Sequence, residues 1–322
     1  MYRFWDTIIE PILVDYQPKI IVEVGSSSGV NTKNLLGFCE QNNSFCHTID
    51  PTEIGNYNII KDDLDKYGKW HKLLSLDALK NVMGDVFLLD GDHNWYTVYE
   101  ELKLIEANVV RDNLKLPLIF FHDTNWPYHR RDLYYDPATI PDEHKKPFAY
   151  KGIVPNRSEL SETEGINSTL SNATTEGGEH NGVLTGVEDF LQNSSFGEKY
   201  TFCSVPHFHG LGLLYPTEQL QPSTVKKINQ HFNFSEAVVQ ILQSTENERI
   251  KGLLAQDQLR RQLHEMGNCL HTATQQFNDL NELWKDQSKM VDDLNRAMGN
   301  KSFLRQKMYQ LGRSMFRGTK GR

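Results

Sequence analysis

Two short segments, DGDH and HD, carry acids and histidines that could bind a cation or transfer protons. Asp90, Asp92 and His93 follow one apolar run of the chain, and His122 and Asp123 end another. Carboxylate oxygens are ligands for hard divalent cations, and a carboxylate or an imidazole can act as a general base. These residues therefore predict either a metal site or a proton-transfer site.

Three interpretations of this cluster stay open. In the first, Asp90 and Asp123 bind a cation that lowers the pKa of a substrate hydroxyl, and Asp92 or His93 then takes its proton. In the second, no metal binds, and His93 or Asp92 acts alone while the other acids orient the reactants. In the third, the acids only cap the following helix. The catalytic candidates are Asp92, His93 and His122, and the metal candidates are Asp90 and Asp123.

A glycine-containing loop, EVGSSSG, covers residues 23–29 and follows a β-branched run. Glycine lets the backbone turn with positive φ and lets a ligand approach it closely. The loop lacks the G-x-G-x-x-G spacing of dinucleotide sites and the Gly-Lys-Ser/Thr ending of a P-loop. Glu23 is unfavourable beside a phosphate, but it can accept a hydrogen bond from an ammonium group or serve a structural role. The pattern predicts a ligand-binding loop built from Glu23, Gly25, Ser26 and Gly29.

Two further polar residues stand where the next two predicted strands end. Asp50 ends the second strand, where its carboxylate could accept hydrogen bonds from both hydroxyls of a ribose. Ser75 ends the third strand, where it could meet an adenine. Asp90, at the end of the fourth, lies beside the same site. The order of loop, acid and polar residue predicts a ligand of the nucleoside type.

Short apolar runs alternate with helical spacing over most of the chain. The predicted strands cover residues 19–25, 44–50, 70–75, 85–90 and 116–123. Helices are expected at residues 1–17, 30–41, 95–110 and 183–192. Residues 200–216 indicate two more strands joined by a turn, in which His207 and His209 are expected at the surface. The alternation predicts an α/β fold, with a Rossmann-like, doubly wound sheet, an antiparallel edge hairpin, and ligands at the carboxyl ends of its strands.

The alternation fades between residues 124 and 180, where polar residues dominate. Long segments of this kind often form active-site lids. Arg130, Arg131, Tyr134 and Tyr135 could hold a sugar ring or an anionic group there. We predict a lid-like insertion within a domain that covers residues 1–220.

The motifs EVGSSSG, TID, LLDGDHNWYTVYEEL and IFFHDT together resemble those of class I S-adenosylmethionine-dependent methyltransferases. Within that class they are similar to the branch that contains sugar O-methyltransferases and cephalosporin-hydroxylase-like proteins. The resemblance covers about residues 18–215. It implies that Glu23, Gly25 and Gly29 shape a pocket for the methionine part of S-adenosylmethionine. It also implies that Asp50 holds the ribose and that Ser75 lies near the adenine.

The resemblance bears on the metal as well. In metal-dependent sugar methyltransferases of this branch, an acid at the position of Asp90 and a pair of acids at the next strand end hold Mg²⁺. The acid at the position of Asp92 is a proposed base. Here the pair is His122 and Asp123, so an imidazole replaces one oxygen ligand. S-adenosylmethionine is therefore the expected cofactor, and a need for Mg²⁺ stays open.

The clearest periodic signal lies beyond residue 250. Apolar residues recur with strict 4,3 spacing from Leu259 to Met298, and polar residues fill most of the other positions. This narrow stripe predicts a coiled coil over residues 251–300, reached through a linker and helix at 221–250, and with it a homo-oligomer. Residues 301–322 form a basic amphipathic tail that could lie on a membrane surface, contact a glycosyltransferase partner or stay solvated.

Charge and composition exclude several classes of protein. The formal net charge is -8, and residues 301–322 carry seven Lys or Arg and no acid, which leaves -15 on the rest of the chain. An acidic body argues against general nucleic-acid binding. Four cysteines without a C-x-x-C spacing argue against a zinc knuckle or a disulfide framework. With no signal peptide or long apolar segment, we expect a cytoplasmic protein whose tail could attach it to the inner face of a membrane.

The expected function is transfer of a methyl group from S-adenosylmethionine to a hydroxyl of a sugar or polysaccharide, in surface-glycan modification or chain termination. Two alternatives stay open. One is a catalytically inactive methyltransferase-like scaffold that assembles through its coiled coil. The other is a methyltransferase of a small-molecule or phosphate acceptor.

Overall fold

A computed structural model describes residues 1–317, with the side chains of residues 312 and 314–317 left out. The strands of this part are β1 (Ile20–Val24), β2 (Phe45–Ile49), β3 (Gly68–His71), β4 (Val86–Leu89), β5 (Leu118–His122), β6 (Leu133–Tyr134), β7 (Phe148–Ala149), β8 (Ser171–Ala173), β9 (Thr201–Val205) and β10 (Leu211–Tyr215). Its α-helices are α1 (Glu10–Tyr16), α2 (Val30–Asn42), α3 (Tyr57–Tyr67), α4 (Ser75–Ala78), α5 (Trp95–Asp112), α6 (Val183–Asn193), α7 (Pro222–Phe232) and α8 (Glu236–Arg317).

In the described part of the chain, seven strands form one sheet of order β3-β2-β1-β4-β5-β10-β9. Strands β1 to β5 pair in parallel, and β10 pairs antiparallel with both β5 and β9. Therefore β9 runs in the same direction as β1 to β5, and β10 is the reversed strand of the seven. The predicted α/β sheet with an antiparallel hairpin at its edge is confirmed.

The central strands are buried on both faces, which explains why their sequences are apolar without interruption. On β4, Val86 and Leu88 belong to one apolar cluster, and Phe87 and Leu89 belong to another. Successive side chains of a strand point to opposite faces, so the two clusters lie on opposite sides of the sheet. Helices α1, α2 and α7 contribute to the first cluster, and α5 and α6 contribute to the second.

The first residues form a mixed helical segment rather than the single predicted helix. A 3₁₀ turn (Tyr2–Phe4) and a π-helical turn (Trp5–Ile9) precede α1. Pro11 lies in the first turn of α1 and has no N–H to donate to the preceding turn, so the regular hydrogen-bond ladder is interrupted there. The expected apolar face is present, since Ile9 and Ile12 are fully buried.

The third strand is shorter than predicted. It ends at His71, which pairs with Ile49, the last residue of β2. Beyond that point β2 offers no backbone partner, and Leu73 and Leu74 are exposed. Ser75 therefore does not end a strand but begins α4, and its hydroxyl binds the buried carboxyl group of Glu101.

The insertion at residues 124–180 has a structure of its own, a small sheet of order β6-β8-β7. The fully buried side chain of Asp132 accepts hydrogen bonds from the Trp95 N–H at 2.7 Å, the Gly182 N–H at 2.6 Å and the Tyr134 hydroxyl at 2.8 Å. Arg131 is also fully buried and donates to backbone carbonyl groups within the insertion. Arg131 and Tyr134 thus bind other protein groups, whereas Tyr135 is 60% exposed.

Helix α8 is continuous, and the chain divides into two compact units, Met1–Asp257 and a second that begins at Gln258. In the first unit α8 buries Glu246 and Ile250. Residues 251–300 are thus helical, as their periodicity predicts, while the association of this helix with others in a coiled coil stays a prediction. Residues 318–322 of the predicted tail lie outside the described part. Within residues 1–317, no helix is long and apolar enough to cross a membrane.

Candidate ligand site at the carboxyl edge of the sheet

The strand order creates a crevice between β1 and β4. The chain proceeds from β1 to β2 and β3 on one side, and β4 and β5 lie on the other side of β1. In open α/β sheets, ligands bind outside the carboxyl ends of the strands at such a switch point. Gly25 directly follows β1, and Asp90 directly follows β4. Both predicted segments therefore meet at the crevice.

The glycines of the loop fix its path. Gly25 has a φ of +84°, and a Cβ atom there would lie 2.1 Å from the carbonyl oxygen of Asp90. Gly29 has a φ of +75°, and its Cβ would lie 2.4 Å from the carbonyl oxygen of Gly55. Only glycine permits both the positive φ and these close approaches. Gly25 thus holds the loop against β4, and Gly29 holds it against the segment after β2.

A cavity of about 330 Å³ lies beside this loop. The residues that line it are 1–3, 25–28, Asn31, Asp90, His93, His122, Asp123, Pro127, Tyr128, Leu133, Tyr135, Asn167, Leu170 and His209. The loop after β1, the ends of β4 and β5, the insertion and the hairpin turn thus share one wall. Six of the predicted site residues line it, namely Gly25, Ser26, Asp90, His93, His122 and Asp123.

The acid–histidine cluster, defined as Asp90, His93, His122 and Asp123, is closely packed. Asp123 Oδ2 lies 3.2 Å from His93 Nδ1 and 3.2 Å from His122 Nδ1. Asp90 Oδ1 lies 3.3 Å from His122 Nδ1 and 4.0 Å from His93 Nε2. The α-amino group of Met1 donates to Asp90 Oδ2 at 2.8 Å. Every carboxylate of the cluster therefore has a nitrogen partner.

Burial and charge act in opposite directions on this cluster. Burial alone would raise the pKa of Asp123, but His122 and His93 outweigh burial and lower it. Burial alone would lower the pKa of His122, but the carboxylates of Asp90 and Asp123 raise it. The pKa of Asp90 is also lowered, because His122 and the α-amino group of Met1 outweigh its burial. The cluster therefore favours ionised carboxylates beside a protonated imidazole.

Asp92 points elsewhere. Its carboxylate accepts hydrogen bonds from Asn94 Nδ2 at 2.6 Å, Thr97 Oγ1 at 3.3 Å and the Tyr135 N–H at 3.3 Å. Asn94 itself caps α5 by accepting from the Thr97 N–H. Asp92 is absent from the described lining of the cavity. Asp92 thus holds the capping residue Asn94 in place, and burial raises the pKa of Asp92.

Glu23 serves the inside of the fold. It is 1% exposed and accepts hydrogen bonds from Asn31 Nδ2 at 2.9 Å, Thr32 Oγ1 at 2.7 Å and Thr48 Oγ1 at 3.3 Å. Burial raises its pKa to about 7. These contacts join β1, β2 and the first turn of α2. Of the two roles left open for Glu23, the structural one is observed.

Asp50 holds the glycine loop from the other side. Its Oδ2 accepts from the Ser26 N–H at 2.9 Å, the Ser26 hydroxyl at 2.8 Å and the Ser27 N–H at 3.3 Å. Its Oδ1 accepts from the N–H and the hydroxyl of Thr52. Burial alone would raise the pKa of Asp50, but these hydrogen bonds lower it. Asp50 and Ser75, the predicted ribose and adenine contacts, are not among the described residues that line the cavity.

Two parts of the cavity wall were not predicted. Residues 1–3 line it, although the sequence indicates only an amphipathic helix there. His209, which was expected at the surface, is partly buried and lines the cavity as well. Phe208, His209 and Gly210 all have positive φ, and this turn brings His209 Nδ1 within 3.0 Å of the Trp126 carbonyl oxygen. The sequence predicts a turn here, but no local pattern indicates that it brings His209 to the cavity.

Glu246 of α8 holds that turn in place. Its carboxylate is 3% exposed and accepts from the N–H groups of Phe208 and His209, both at 3.0 Å. Successive N–H groups in a left-handed turn form a concave site for an anion. Arg249 Nη2 donates to Glu246 Oε1 at 2.6 Å and lies 3.1 Å from His209 Nε2. Helix α8 is thereby part of the structure that positions a cavity residue.

The Glu246 contacts predict a pH-dependent stability. Burial alone would raise the pKa of Glu246, but hydrogen bonds from Arg249 and the turn lower it from 4.5 to about 2. The ionised carboxylate therefore stabilises the fold fully above pH 4.5, and this stabilisation is lost as the pH falls towards 2. We expect Glu246→Gln to lower the free energy of unfolding by about 2 kcal/mol at pH 7, and by less as the pH falls from 5 to 3. Urea denaturation measures both values. Glu248→Gln, at an exposed position, is the control. A loss of stability for Glu246→Gln that is the same at pH 7 and pH 3 would contradict the lowered pKa of Glu246.

Comparison with known proteins gave structural matches alone. No protein-family model and no curated protein sequence matches the chain. The SAH-bound methyltransferase PaMTH1 of Podospora anserina is 11% identical, with a TM-score of 0.37 over 66% of this chain and 84% of that one. Human N-acetylserotonin methyltransferase in complex with SAM is 10% identical, with a TM-score of 0.34 over 66% and 52%. Burkholderia thailandensis 1,6-didemethyltoxoflavin-N1-methyltransferase is 10% identical, with a TM-score of 0.33 over 64% and 75%. With TM-scores below 0.5, these likenesses do not decide the function of this chain.

Proposed function

We propose that the chain is a methyltransferase that moves a methyl group from S-adenosylmethionine to a hydroxyl group of a sugar or polysaccharide. The position of the cavity carries the proposal, because it lies at the β1–β4 switch point beside a glycine loop that lacks phosphate-binding spacing. The acid–histidine cluster lies in the same cavity and offers groups that can deprotonate a hydroxyl. Donor and acceptor chemistry would thus meet in one place.

The loop residues fit the methionine end of S-adenosylmethionine. Asn31 lines the cavity, and its buried Oδ1 has no hydrogen-bond donor within the described residues. An ammonium group would satisfy this acceptor. When bound, the cofactor supplies a methyl group on a positively charged sulfur, and Asp90 and Asp123 provide negative charge nearby. Asp50 would hold the ribose only by exchanging hydrogen bonds that Ser26 and Thr52 now donate to it.

His93 is our candidate for the base that takes the hydroxyl proton. Its Nδ1 faces Asp123 at 3.2 Å, and its Nε2 stays 4.0 Å from Asp90 Oδ1. Asp123 would stabilise the imidazolium that forms when Nε2 accepts a proton. The ring of Tyr128 stacks on His93 with an interplanar angle of 6° and fixes its orientation. Asp92 would support this site indirectly by holding Asn94, which caps α5.

The acceptor is proposed from the chemistry of the cavity wall. Asp90 and Asp123 can accept a hydrogen bond from a hydroxyl group, which an ionised phosphate or carboxylate cannot donate, so a hydroxyl acceptor is favoured. The exposed ring of Tyr135 lies 5.8 Å from the His93 ring and could pack against the apolar face of a sugar. A cavity of about 330 Å³ holds one small ring, so the rest of a polysaccharide would remain outside it. A small neutral alcohol would fit the same observations.

A cation site is the second candidate role of the cluster. Ligand atoms of Asp90, His93 and Asp123 all lie within 4.8 Å of one another. Two carboxylates and an imidazole suit Mn²⁺, Fe²⁺ or Zn²⁺ better than Mg²⁺, which prefers oxygen alone. A bound cation would lower the pKa of the acceptor hydroxyl. The two versions differ in His93, which is a base in one and a ligand in the other.

The donor is tested by calorimetry of the full chain. We expect S-adenosylmethionine and S-adenosylhomocysteine to bind, and ATP not to bind, because the loop lacks the glycine and lysine spacing of phosphate-binding loops. Gly25→Ala should abolish binding, since the added Cβ would overlap the Asp90 carbonyl oxygen. Gly37→Ala is the control, because no atom lies within 4 Å of its Cβ position. Absence of S-adenosylmethionine binding by the unaltered chain would refute the proposal.

The base is tested by methyl transfer from labelled S-adenosylmethionine, with lipid-linked glycans screened first as acceptors. We expect His93→Ala to lower turnover roughly 10²- to 10⁴-fold while donor affinity changes only severalfold. Asp92→Asn should keep turnover within severalfold, because Asp92 holds the α5 cap Asn94 and is not among the described residues that line the cavity. Full activity of His93→Ala would place the base elsewhere. Donor binding without transfer to any acceptor class would favour the inactive scaffold.

The cation is tested by titration of the metal-free protein. We expect one Mn²⁺ per chain to bind, with an affinity for Mg²⁺ that is at least roughly tenfold weaker. Asp123→Asn should weaken Mn²⁺ binding strongly, and Asp92→Asn should leave it unchanged. If Mn²⁺ does not bind, the cation version fails and His93 remains as the base.

A further inference from the structure

Helix α8 carries a long apolar face that no described part of the chain covers. We call it the α8 stripe: the residues from Leu259 to Met298 at positions a and d of a heptad in which Leu263 is a and Met266 is d. Its large apolar side chains are 54–70% exposed. A monomeric soluble protein rarely exposes so continuous an apolar surface, so a partner is expected here.

Apart from Arg260 at an e position, the charges around the α8 stripe are confined to its far side. Between residues 261 and 300, every Asp, Glu, Lys and Arg occupies position b, c or f. Positions e and g flank the stripe, and in many two-stranded coiled coils they carry interhelical salt bridges. Here they hold no charged residue from 262 to 300. An uncharged flank can face a copy of itself without repulsion between like charges. The pattern thus favours self-association over binding to a charged partner.

The apolar surface is also wider than an a/d seam. Cys269, Leu283, Met290 and Ala297 occupy successive or nearly successive g positions, and Leu283 and Met290 are 60% and 66% exposed. One neighbouring helix covers mainly the a and d side chains, while a stripe that extends onto g can contact a second neighbour. The width therefore favours an assembly of more than two helices.

A membrane is a poorer match for the same face. Helices that lie in a membrane interface carry a basic polar face. The polar face between residues 261 and 300 has four basic and six acidic residues, a net charge of -2. Gly267 and Gly299 lower the helix propensity of α8 relative to Ala, and most helical stability in proteins comes from packing, so contacts with other helices would stabilise this segment.

We propose that three or more copies of this chain associate through the α8 stripe as a coiled coil. Gln287, a polar residue at a d position, would be paired within the core and would help to fix the register of the copies. The proposal rests on helix composition and exposure alone. Association through α8 does not depend on S-adenosylmethionine binding.

Sedimentation equilibrium of the full chain tests the number of copies. The expected mass is at least three times the 37.2 kDa of one chain. Leu280→Glu, which places a charge at a d position, should reduce the mass to that of one chain. Gln275→Glu, which places the same charge at an f position, should leave the assembly intact. Circular dichroism of both variants checks that the sheet still folds.

Met290→Glu tests the width of the interface. If the g positions are buried between helices, this variant should dissociate as Leu280→Glu does. An unchanged mass for Met290→Glu, or a monomer or dimer for the unaltered chain, would overturn the proposal. A monomer that floats with phosphatidylcholine–phosphatidylglycerol vesicles would overturn it in favour of membrane binding.

Discussion

The loop after β1 lies against the loop after β4 through a contact that only glycine allows, and the rest of the candidate site depends on it. Because Gly25 has no side chain, its backbone can approach the carbonyl group of Asp90, and the two loops meet at the switch point. The loop can then turn towards Asp50, which binds the N–H groups of Ser26 and Ser27. The same contact fixes the end of β4, and with it the carboxylate of Asp90.

A second constraint follows from burying acids at these strand ends. An unpaired carboxylate in a protein interior is strongly destabilising, so each needs a proton, a cation or several donors. Asp50 obtains donors from a loop, while Asp90 and Asp123 obtain imidazoles. Glu23 keeps a pKa near 7 although three side chains donate to it. The acids that look alike in the sequence thus divide into those that hold the fold and those that face the cavity.

The sequence predicts the sheet and the meeting of DGDH with HD because both follow from general rules. Strand ends of a parallel sheet gather at one edge, so Asp90 and Asp123 can be brought together without knowledge of any contact. The orientation of Asp92 does not follow, since a residue after a strand can face the cavity or the next helix. The position of His209 does not follow either, because it depends on Glu246, which lies 37 residues further along the chain. Strand β3 was predicted too long because the sequence of a strand does not indicate where its partner ends.

Helix α8 contributes residues to both compact units, so the unit that contains the sheet extends past the last strand into α8. The last strand of the sheet ends at Tyr215, but Glu246 and Ile250 are buried in the same unit, and Leu253 packs on the apolar cluster of the insertion. A chain cut after the last strand would lose the anion that the hairpin turn binds and would uncover apolar surface on the insertion. Exchange of C-terminal helices between proteins of this fold, in evolution or in the laboratory, would therefore have to occur beyond Asp257 to leave the cavity wall intact.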